Sequence, residues 1–509
     1  MLSFPSSSFA VLSLSGLLVL AVWGLTLGPH TRYYNNYHYY HHDFFAYATS
    51  EEEQEEQQEE QQGPIINDLG LRAEVVVEGL KSPTSMAFLG PDDVLVLEKD
   101  NGNVKRIVDG EILDEPLLDV EVANQYHRGM LGVAISNISS SSIDNEAGVI
   151  KYVFLYYTES SGEDGNDDCP EIIRCKEGND PKGNRLYRYQ LDDEEELSNP
   201  KLLLDLPATP GSEHVGGALV IGPDNNVYLV SGDGHSCVSS SDSCEEGNIQ
   251  STVLNSLSAN VQNGLPPAGR GGILRVTQNG QAVGGVGIDD SILGKEDPLN
   301  KYYAYGIRNS FGIDFDPVTG RLWDAENGPS FGDEINLVEP GFNSGWLNIQ
   351  GIWPISNNTL LVDGLSPYRG YFEGDRGGDI ALDTDENLVD FQGKGKYSDP
   401  EFVWNQSVGV TALKFLGSDK LGKQYENDMF VGDFSGNIYH FDLNEDRKAL
   451  VLKGSLNDKV AESSEREGLE DIIFGEGFGG ITDLEVGPDG YLYIVSFGEG
   501  KIFKIVPSL

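Results

Sequence analysis

The chain has 509 residues, of which 82 are acidic and 34 are basic, so that its formal net charge is −48 at pH 7. This length allows one large domain or several ordinary ones, with ample chain to bury a core. So acidic a surface repels phosphate backbones and anionic headgroups, which argues against nucleic acid as a partner.

The N-terminus contains an uncharged apolar run of nineteen residues, FAVLSLSGLLVLAVWGLTL, from Phe9 to Leu27. A helix of roughly 20 such residues spans a bilayer. No Lys or Arg precedes the run, so the positive region of an ordinary signal peptide is missing. We therefore predict an apolar helix in residues 1–29 that acts as a membrane anchor or signal segment, and an extracytoplasmic protein that is either anchored or secreted.

Residues 30–69 are of low complexity, with a His/Tyr-rich stretch followed by EEEQEEQQEEQQGP. Such a composition cannot bury enough apolar surface to fold, so we predict a hydrated spacer. The four histidines of this stretch could bind metal weakly; they are His30, His38, His41 and His42.

The four cysteines lie in two Gly/Ser/Asp-rich stretches, as the pairs Cys169/Cys175 and Cys237/Cys244. Neither spacing fits a CxxC zinc or redox motif. Three disulfide connectivities are open, and two local disulfides suit an exported protein best.

From residue 70 to residue 509 one phrase recurs: an alternating strand, a turn built on Pro-Asp or Gly, and a second alternating strand. Examples are ALVIGPDNNVYLVSGDG, GIDFDPVTGRLWDAENG and LEVGPDGYLYIVSFGEG. Period-2 alternation gives strands with one buried face, and about six copies of the phrase predict an all-β, six-bladed β-propeller with long inter-strand loops. A two-sheet sandwich array is the alternative.

Polar clusters at the strand ends are the candidates for chemistry, because no GxSxG, HExxH or Walker motif occurs. His214 stands one residue before two glycines and a strand, where an imidazole could act as a general base. The stretch ENGPSFGDEIN offers turn carbonyls and carboxylates, the hard oxygen ligands of Ca²⁺. The residues alone leave open that His214 is structural and that these acids only cap turns.

Together, several phrases resemble the soluble pyrroloquinoline-quinone (PQQ)-dependent aldose (glucose/sorbosone) dehydrogenase family. They are HRGMLGVAIS, EHVGGALVIGPDNNVYLVSGDG, YGIRNSFGIDFDP, GPSFGDEINLVEPGFNSGW and GPDGYLYIV. They occur in the family's order over about Val77 to Val506. The resemblance implies a six-bladed propeller, in agreement with the repeat count.

For function, the resemblance implies oxidation of an aldose, or another small carbohydrate, at the anomeric carbon by hydride transfer to PQQ. The general base would be His214, and an external electron acceptor would reoxidise the quinone. Contacts to the cofactor would fall on Arg308 and Asn309, and on His127, which stands where the family has a Gln. The oligomeric state is not indicated.

The resemblance also implies a calcium region in the GPxxxDEIN loop. Its ligands would be the carbonyl oxygens of Gly328 and Pro329 and the carboxylate of Glu334. The ion would polarise a quinone oxygen as a Lewis acid.

Besides His127, four positions depart from the family pattern. Phe311 replaces a Gln, and uncharged Ser435, Gly480 and Thr482 stand where the family has one Lys and two Arg. The carboxylates of PQQ would lose cationic partners there, and unpaired buried carboxylates are costly. Two alternatives therefore remain: a propeller that has lost the quinone and serves as an extracellular binding module, and a calcium-dependent, lactonase-like hydrolase on the same scaffold.

Overall fold

The protein is described by a computed structural model that covers residues 63–139, 149–161, 181–192, 196–208, 213–234, 258–260, 267–283, 292–329, 331–354, 388–462 and 469–508. The predicted apolar helix in 1–29, nearly all of the predicted spacer and all four cysteines lie outside these ranges. Of the helices within them, none has the length and hydropathy that a bilayer crossing needs.

Strands make up most of the regular structure in the described ranges. The first fifteen are β1 (Ile65–Ile66), β2 (Leu71–Glu78), β3 (Pro83–Gly90), β4 (Asp93–Glu98), β5 (Asn103–Val108), β6 (Glu111–Ile112), β7 (Leu118–Asp119), β8 (Met130–Ser139), β9 (Val149–Glu159), β10 (Gly183–Leu191), β11 (Leu197–Leu206), β12 (Leu219–Ile221), β13 (Val227–Ser231), β14 (Gly272–Val276) and β15 (Tyr302–Tyr305).

The remaining strands are β16 (Ser310–Phe315), β17 (Leu322–Glu326), β18 (Phe331–Val338), β19 (Phe342–Asn343), β20 (Ile349–Gln350), β21 (Trp353–Pro354), β22 (Lys396–Tyr397), β23 (Phe402–Gln406), β24 (Val410–Phe415), β25 (Met429–Asp433), β26 (Ile438–Phe441), β27 (Val460–Ala461), β28 (Ile473–Glu476), β29 (Ile481–Val486), β30 (Leu492–Ser496) and β31 (Lys501–Pro507). Short 3₁₀ helices occupy Leu299–Lys301, Lys423–Tyr425 and Gly454–Asp458.

The recurring Pro-Asp turns explain why the phrase repeats. In the turn between β12 and β13, Asp224 accepts a hydrogen bond from the backbone N–H of Asn226 (3.1 Å) and another from the Tyr228 hydroxyl (3.1 Å). Between β29 and β30, Asp489 accepts the same two bonds, from the Tyr491 N–H (3.2 Å) and the Tyr493 hydroxyl (2.9 Å). The aspartate thus caps the turn and ties it to the following strand.

The strands form six sheets of at least four strands each, and a separate pair β20–β21. Sheet I is β3-β4-β5-β6 with β7 on β5, sheet II is β8-β9-β10-β11, and sheet III is β12-β13-β14-β15-β19-β22. Sheet IV is β16-β17-β18-β23-β27, sheet V is β24-β25-β26-β28-β1, and sheet VI is β29-β30-β31-β2. Sheet VI joins an N-terminal strand to three C-terminal ones.

The sheets are arranged in a closed ring. The first-named strand of each sheet contacts the first-named strand of the next sheet, and β29 of sheet VI returns to β3 of sheet I. One buried apolar cluster lies between each neighbouring pair of sheets. The all-β propeller prediction is therefore confirmed. The ring begins before the predicted boundary at residue 70, because β1 pairs with β28.

The starts of the six innermost strands meet at one end of the ring, which we call the site end. Hydrogen bonds between neighbouring sheets join them: Thr84 Oγ1 to Met130 O (2.8 Å), Gly216 N to Asn309 Oδ1 (3.1 Å), Asn327 Nδ2 to Val410 O (2.6 Å) and Thr482 Oγ1 to Pro83 O (2.8 Å). Because the second strand of each sheet is antiparallel to the first, its C-terminal end reaches the same place.

Candidate functional site

His214 lies at the site end, just before β12, in a backbone conformation that few residues other than glycine adopt. Its φ is 51°, and Gly216 and Gly217 follow with φ of 73° and 133°. A Cβ on Gly216 would lie 2.3 Å from the Val230 carbonyl oxygen. Gly216 is therefore required for the close approach to β13, and a Cβ on Gly217 would lie 2.9 Å from the Leu131 side chain of β8. A non-glycine residue held at positive φ is uncommon, and such residues cluster at functional sites.

A buried hydrogen-bond chain orients the His214 imidazole. Its Nδ1 lies 2.8 Å from Oδ1 of Asp233, which is fully buried, and the Trp346 indole N–H donates to Oδ2 of the same carboxylate (2.7 Å). A carboxylate can only accept, so Nδ1 carries the proton and Nε2 presents a lone pair. This tautomer is the one that a general base needs.

The His127 side chain packs directly against His214. The two rings are stacked with centroids 5.7 Å apart, and His127 Nδ1 accepts the backbone N–H of His214 (3.2 Å). Neutral His127 consequently carries its proton on Nε2. The Phe311 ring meets His127 edge-on, with ring centroids 6.0 Å apart. His127 and Phe311, which each replace a Gln of the family pattern, therefore lie side by side.

Arg308 and Asn309 adjoin the same pair. Asp233 donates its backbone N–H to the Arg308 carbonyl (2.8 Å), and Asn309 Oδ1 accepts the Gly216 N–H. The Arg308 guanidinium donates to the Asn327 carbonyl (2.9 Å) and lies 5.5 Å from the Trp346 ring centroid, while its buried Nε has no hydrogen-bond partner in the described structure. A buried, unsatisfied guanidinium N–H is suited to an acceptor on a ligand.

Burial dominates the titration of the groups around Arg308. It lowers the pKa of Arg308 itself, against the opposing attraction of Asp233, Asp333, Glu213 and Glu326. It raises the pKa of Glu213, whose interaction with Arg308 acts in the opposite direction. Arg308 is therefore a deeply buried cation that lies beside several acidic groups.

The predicted calcium residues form two separate groups of donors. At the β17–β18 turn, Asp333 accepts the Gly328 N–H (2.8 Å) and also the N–H groups of Val408 and Gly409. Neighbouring strand residues point to opposite faces, and Glu334 lies on the face of β18 opposite to Asp333. The structure thus fixes the Gly328–Pro329 turn through Asp333 and places the Glu334 carboxylate elsewhere.

Glu334 belongs to a cluster of buried carboxyl groups on one face of β17 and β18. Its oxygens accept from Asn336, Gln350 and the Gly351 N–H, and the Ser344 hydroxyl lies between Glu334 and Glu326. Glu326 in turn accepts the Arg308 N–H (2.6 Å), which links this cluster to Arg308.

The carboxyl cluster has more oxygen acceptors than donors. Both oxygens of fully buried Asp324, together with Asn336 Oδ1 and Gln350 Oε1, have no partner in the described structure. Burial raises the pKa of Glu334 to about 8 and that of Asp324 to about 7; for Glu326, burial and the neighbouring carboxyls raise the pKa well above its usual range. Buried oxygen atoms that lack hydrogen-bond donors are suitable ligands for a hard cation such as Ca²⁺.

The positions that lost cations lie at the site end on sheets V and VI. Ser435 is exposed, and a Cβ on Gly480 would lie 3.0 Å from the Phe434 ring, which packs at 6.0 Å from Phe497. The Thr482 hydroxyl is bonded to the Pro83 carbonyl. The three positions themselves are therefore uncharged, and the two phenylalanine rings make this side of the site partly apolar.

Two residues of the site, Asp233 and Trp346, were not predicted from the sequence, and Glu326 lies in the candidate stretch ENGPSFGDEIN without an assigned role. Asp233 lies in the Gly-Asp-Gly that ends the phrase EHVGGALVIGPDNNVYLVSGDG, so the phrase that contains His214 also contains its partner. Trp346 bonds to Asp233 across 113 residues of chain, and no local pattern indicates such a contact.

Comparison with known proteins gives a consistent result. The model of the glucose/sorbosone dehydrogenase family matches residues 80–353. The aldose sugar dehydrogenase YliI of Escherichia coli K12 is 24% identical over 441 residues, which cover 86% of this chain and 93% of that protein. Quinoprotein glucose dehydrogenase B of Acinetobacter calcoaceticus is 26% identical over 289 residues, or 55% of this chain and 52% of that protein.

Solved structures share the fold. The soluble aldose sugar dehydrogenase of Escherichia coli, in its apo-form, aligns with a TM-score of 0.55 and 21% identity over 86% of this chain and all of that one. The PQQ-bound aldose sugar dehydrogenase of Streptomyces coelicolor aligns with a TM-score of 0.51 and 19% identity over 86% and 98% of the two chains.

Replacing Asp233 by Asn should destabilise the protein, because one amide oxygen cannot accept from both His214 and Trp346. We expect Asp233→Asn to lower the free energy of unfolding by about 1–3 kcal/mol, the cost of leaving a buried donor unsatisfied. The exposed Asp446→Asn should change it by less than about 0.5 kcal/mol. Urea unfolding measures the free energy of unfolding of both variants. Equal values would contradict the double hydrogen bonding of Asp233 to His214 and Trp346.

Proposed function

Because this chain belongs to the glucose/sorbosone dehydrogenase family, we propose that it oxidises an aldose, or a related small carbohydrate, at the anomeric carbon. The observation that carries the proposal is the His214–Asp233 hydrogen bond at Nδ1, which makes Nε2 the lone-pair nitrogen of the neutral imidazole. We extend the proposal to an exported protein that passes its electrons to an external acceptor.

His214 removes the proton of the anomeric hydroxyl. The sugar O–H donates to Nε2, and the proton moves to that nitrogen as the C1–H bond breaks. Asp233 then stabilises the imidazolium through the bond at Nδ1, and the Trp346 N–H keeps the carboxylate in place. General-base catalysis of this kind contributes typically about 10²–10⁴-fold to a rate.

PQQ, when bound, would supply the hydride acceptor for C1. The residues that would hold it are Arg308, with its unsatisfied Nε, the Asn309 amide and His127 beside the base. These groups fit the quinone on the side of sheets II to IV. On sheets V and VI the neutral Ser435, Gly480 and Thr482 leave its carboxylates without cations, so we propose weak and calcium-dependent binding.

Calcium, when bound, supplies Lewis-acid polarisation and neutralises carboxylate charge. The turn carbonyls of Gly328 and Pro329 would face the quinone, and Glu334 would hold an ion within the carboxyl cluster. Asp324 fits this second role, since both of its buried oxygens lack donors.

The neutral surface around Phe434 and Phe497 favours a second candidate function. A propeller that no longer binds PQQ could use this partly apolar part of the site end to bind another ligand, because the same scaffold hosts several functions. Quinone binding separates the two candidates.

Removing the base should abolish turnover without abolishing cofactor binding. With Ca²⁺, PQQ, an aldose and a dye acceptor, we expect the full-length His214→Ala protein to lose about 10²–10⁴-fold in kcat/KM. The surface variant Asp446→Asn should match the wild type. If wild-type protein binds PQQ neither with Ca²⁺ nor after chelation, the dehydrogenase proposal is wrong and the binding-module candidate stands.

Restoring one cation should strengthen quinone binding. Ser435→Lys places an ammonium at an exposed position of the site end, and one charge-assisted contact should tighten the Kd for PQQ about tenfold. Ser455→Lys, exposed on the 3₁₀ helix that contacts β27, the outermost strand of sheet IV, controls for net charge. Titration in excess Ca²⁺ measures both, and equal effects of the two lysines would contradict a quinone carboxylate at Ser435.

A further inference from the structure

A second cluster of metal-ligating groups lies on sheet V, remote from the proposed active site. Its members are Asp428, just before β25, His440 within β26 and Asp442, just after β26. Since β25 reaches the site end at its C-terminus, Asp428 at its N-terminus lies toward the other end of the ring. The proposed dehydrogenase chemistry does not use these three residues.

The register of the two strands brings the three side chains together. β25 and β26 are antiparallel, with Met429 opposite Phe441 and Phe430 opposite His440. Continued by one residue, this register places Asp428 opposite Asp442, and His440 shares a face with Asp442 because they are two residues apart. Like charges directly opposite each other destabilise a sheet, so a cation between the aspartates would remove a local conflict.

The ligand atoms are already close to the geometry of a metal site. His440 Nε2 lies 3.0 Å from Asp428 Oδ2 and 3.7 Å from Asp442 Oδ1. One atom from each of the three residues lies within 4.8 Å of the others. In a tetrahedral site with bonds of about 2.0–2.2 Å, ligand atoms are about 3.3–3.6 Å apart, so small side-chain movements suffice.

Aromatic packing fixes the orientation of the imidazole. The Tyr425 ring meets His440 edge-on at 5.0 Å, and the Phe430 ring lies at 5.1 Å. The Asp442 side chain is 44% exposed, whereas that of Asp428 is 13% exposed. An ion can therefore enter past Asp442, and solvent can supply a fourth ligand.

We propose that Asp428, His440 and Asp442 bind one divalent first-row transition-metal ion, best represented by Zn²⁺. One imidazole nitrogen and two carboxylate oxygens suit Zn²⁺, whereas Ca²⁺ prefers six to eight oxygens. The bound ion would tie the residue before β25 to the end of β26 and so stabilise sheet V. Without metal, a protonated His440 could bridge the same two carboxylates, and the experiment distinguishes the two arrangements.

The test is calorimetric titration of chelator-treated, full-length protein with Zn²⁺ at neutral pH. We expect Asp442→Asn and His440→Gln each to weaken one Zn²⁺ site by at least about tenfold, and Glu445→Gln, an exposed neighbour, to leave it unchanged. The N-terminal histidines, His30 among them, are present in all four proteins, so differences between the proteins isolate the sheet V site.

A spectroscopic measurement separates ligand loss from a folding defect. Co²⁺ in a site of low coordination number gives a visible absorption that an octahedral aquo ion lacks, and this absorption should appear in wild type and vanish in both variants. Far-UV circular dichroism checks that the variants are folded. Equal Zn²⁺ stoichiometry and affinity in wild type and Asp442→Asn would overturn the proposal and leave the protonated histidine bridge as the explanation.

Discussion

The hydrogen bond between His214 Nδ1 and Asp233 is the interaction on which the proposed chemistry depends. This bond fixes the tautomer of the imidazole. It requires the positive φ of His214 and the two glycines that follow Val215, and it requires Trp346, which follows β19, to hold the Asp233 carboxylate. All three residues flank strands of sheet III: His214 precedes β12, Asp233 follows β13 and Trp346 follows β19, so the strand pairing of this one sheet brings them to the site end.

The same ring end is electrostatically uneven. On sheets III and IV it holds Arg308 and several buried acids, where burial raises the pKa of Glu334 and Glu326. On sheets V and VI the positions 435, 480 and 482 are uncharged, and Phe434 packs beside Gly480. A ligand at this end therefore meets Arg308 and the buried acids on one side and a partly apolar surface on the other. For the proposed quinone, this asymmetry makes the partners of its carboxylates the decisive feature for binding.

Much of the fold could be predicted from the sequence, because its signals are local. The Asp224–Tyr228 and Asp489–Tyr493 pairs fall within one turn and the strand that follows it, so the repeated phrase reports them directly. The positions of His214, Arg308 and Asn309 followed from the family resemblance, and the structure brings them together with His127. The fold thus has a strong sequence signature, and the site has a partial one.

The rest depended on contacts that no local pattern encodes. The Asp233–Trp346 bond joins distant segments, and the division of the calcium residues follows from the opposite faces of Asp333 and Glu334 once β18 is known to be a strand. The approach of Asp428 to Asp442 requires the register of two strands.

The most direct test of the central claim, that His214 removes a proton as hydride leaves the anomeric carbon, is a kinetic isotope effect. The rate of dye reduction would be measured with an aldose carrying hydrogen or deuterium at C1, in the presence of Ca²⁺ and PQQ. The account predicts a slower reaction with deuterium in the wild type, and no C1 oxidation above background in His214→Ala. Equal rates for the two isotopic sugars together with full activity of His214→Ala would contradict it.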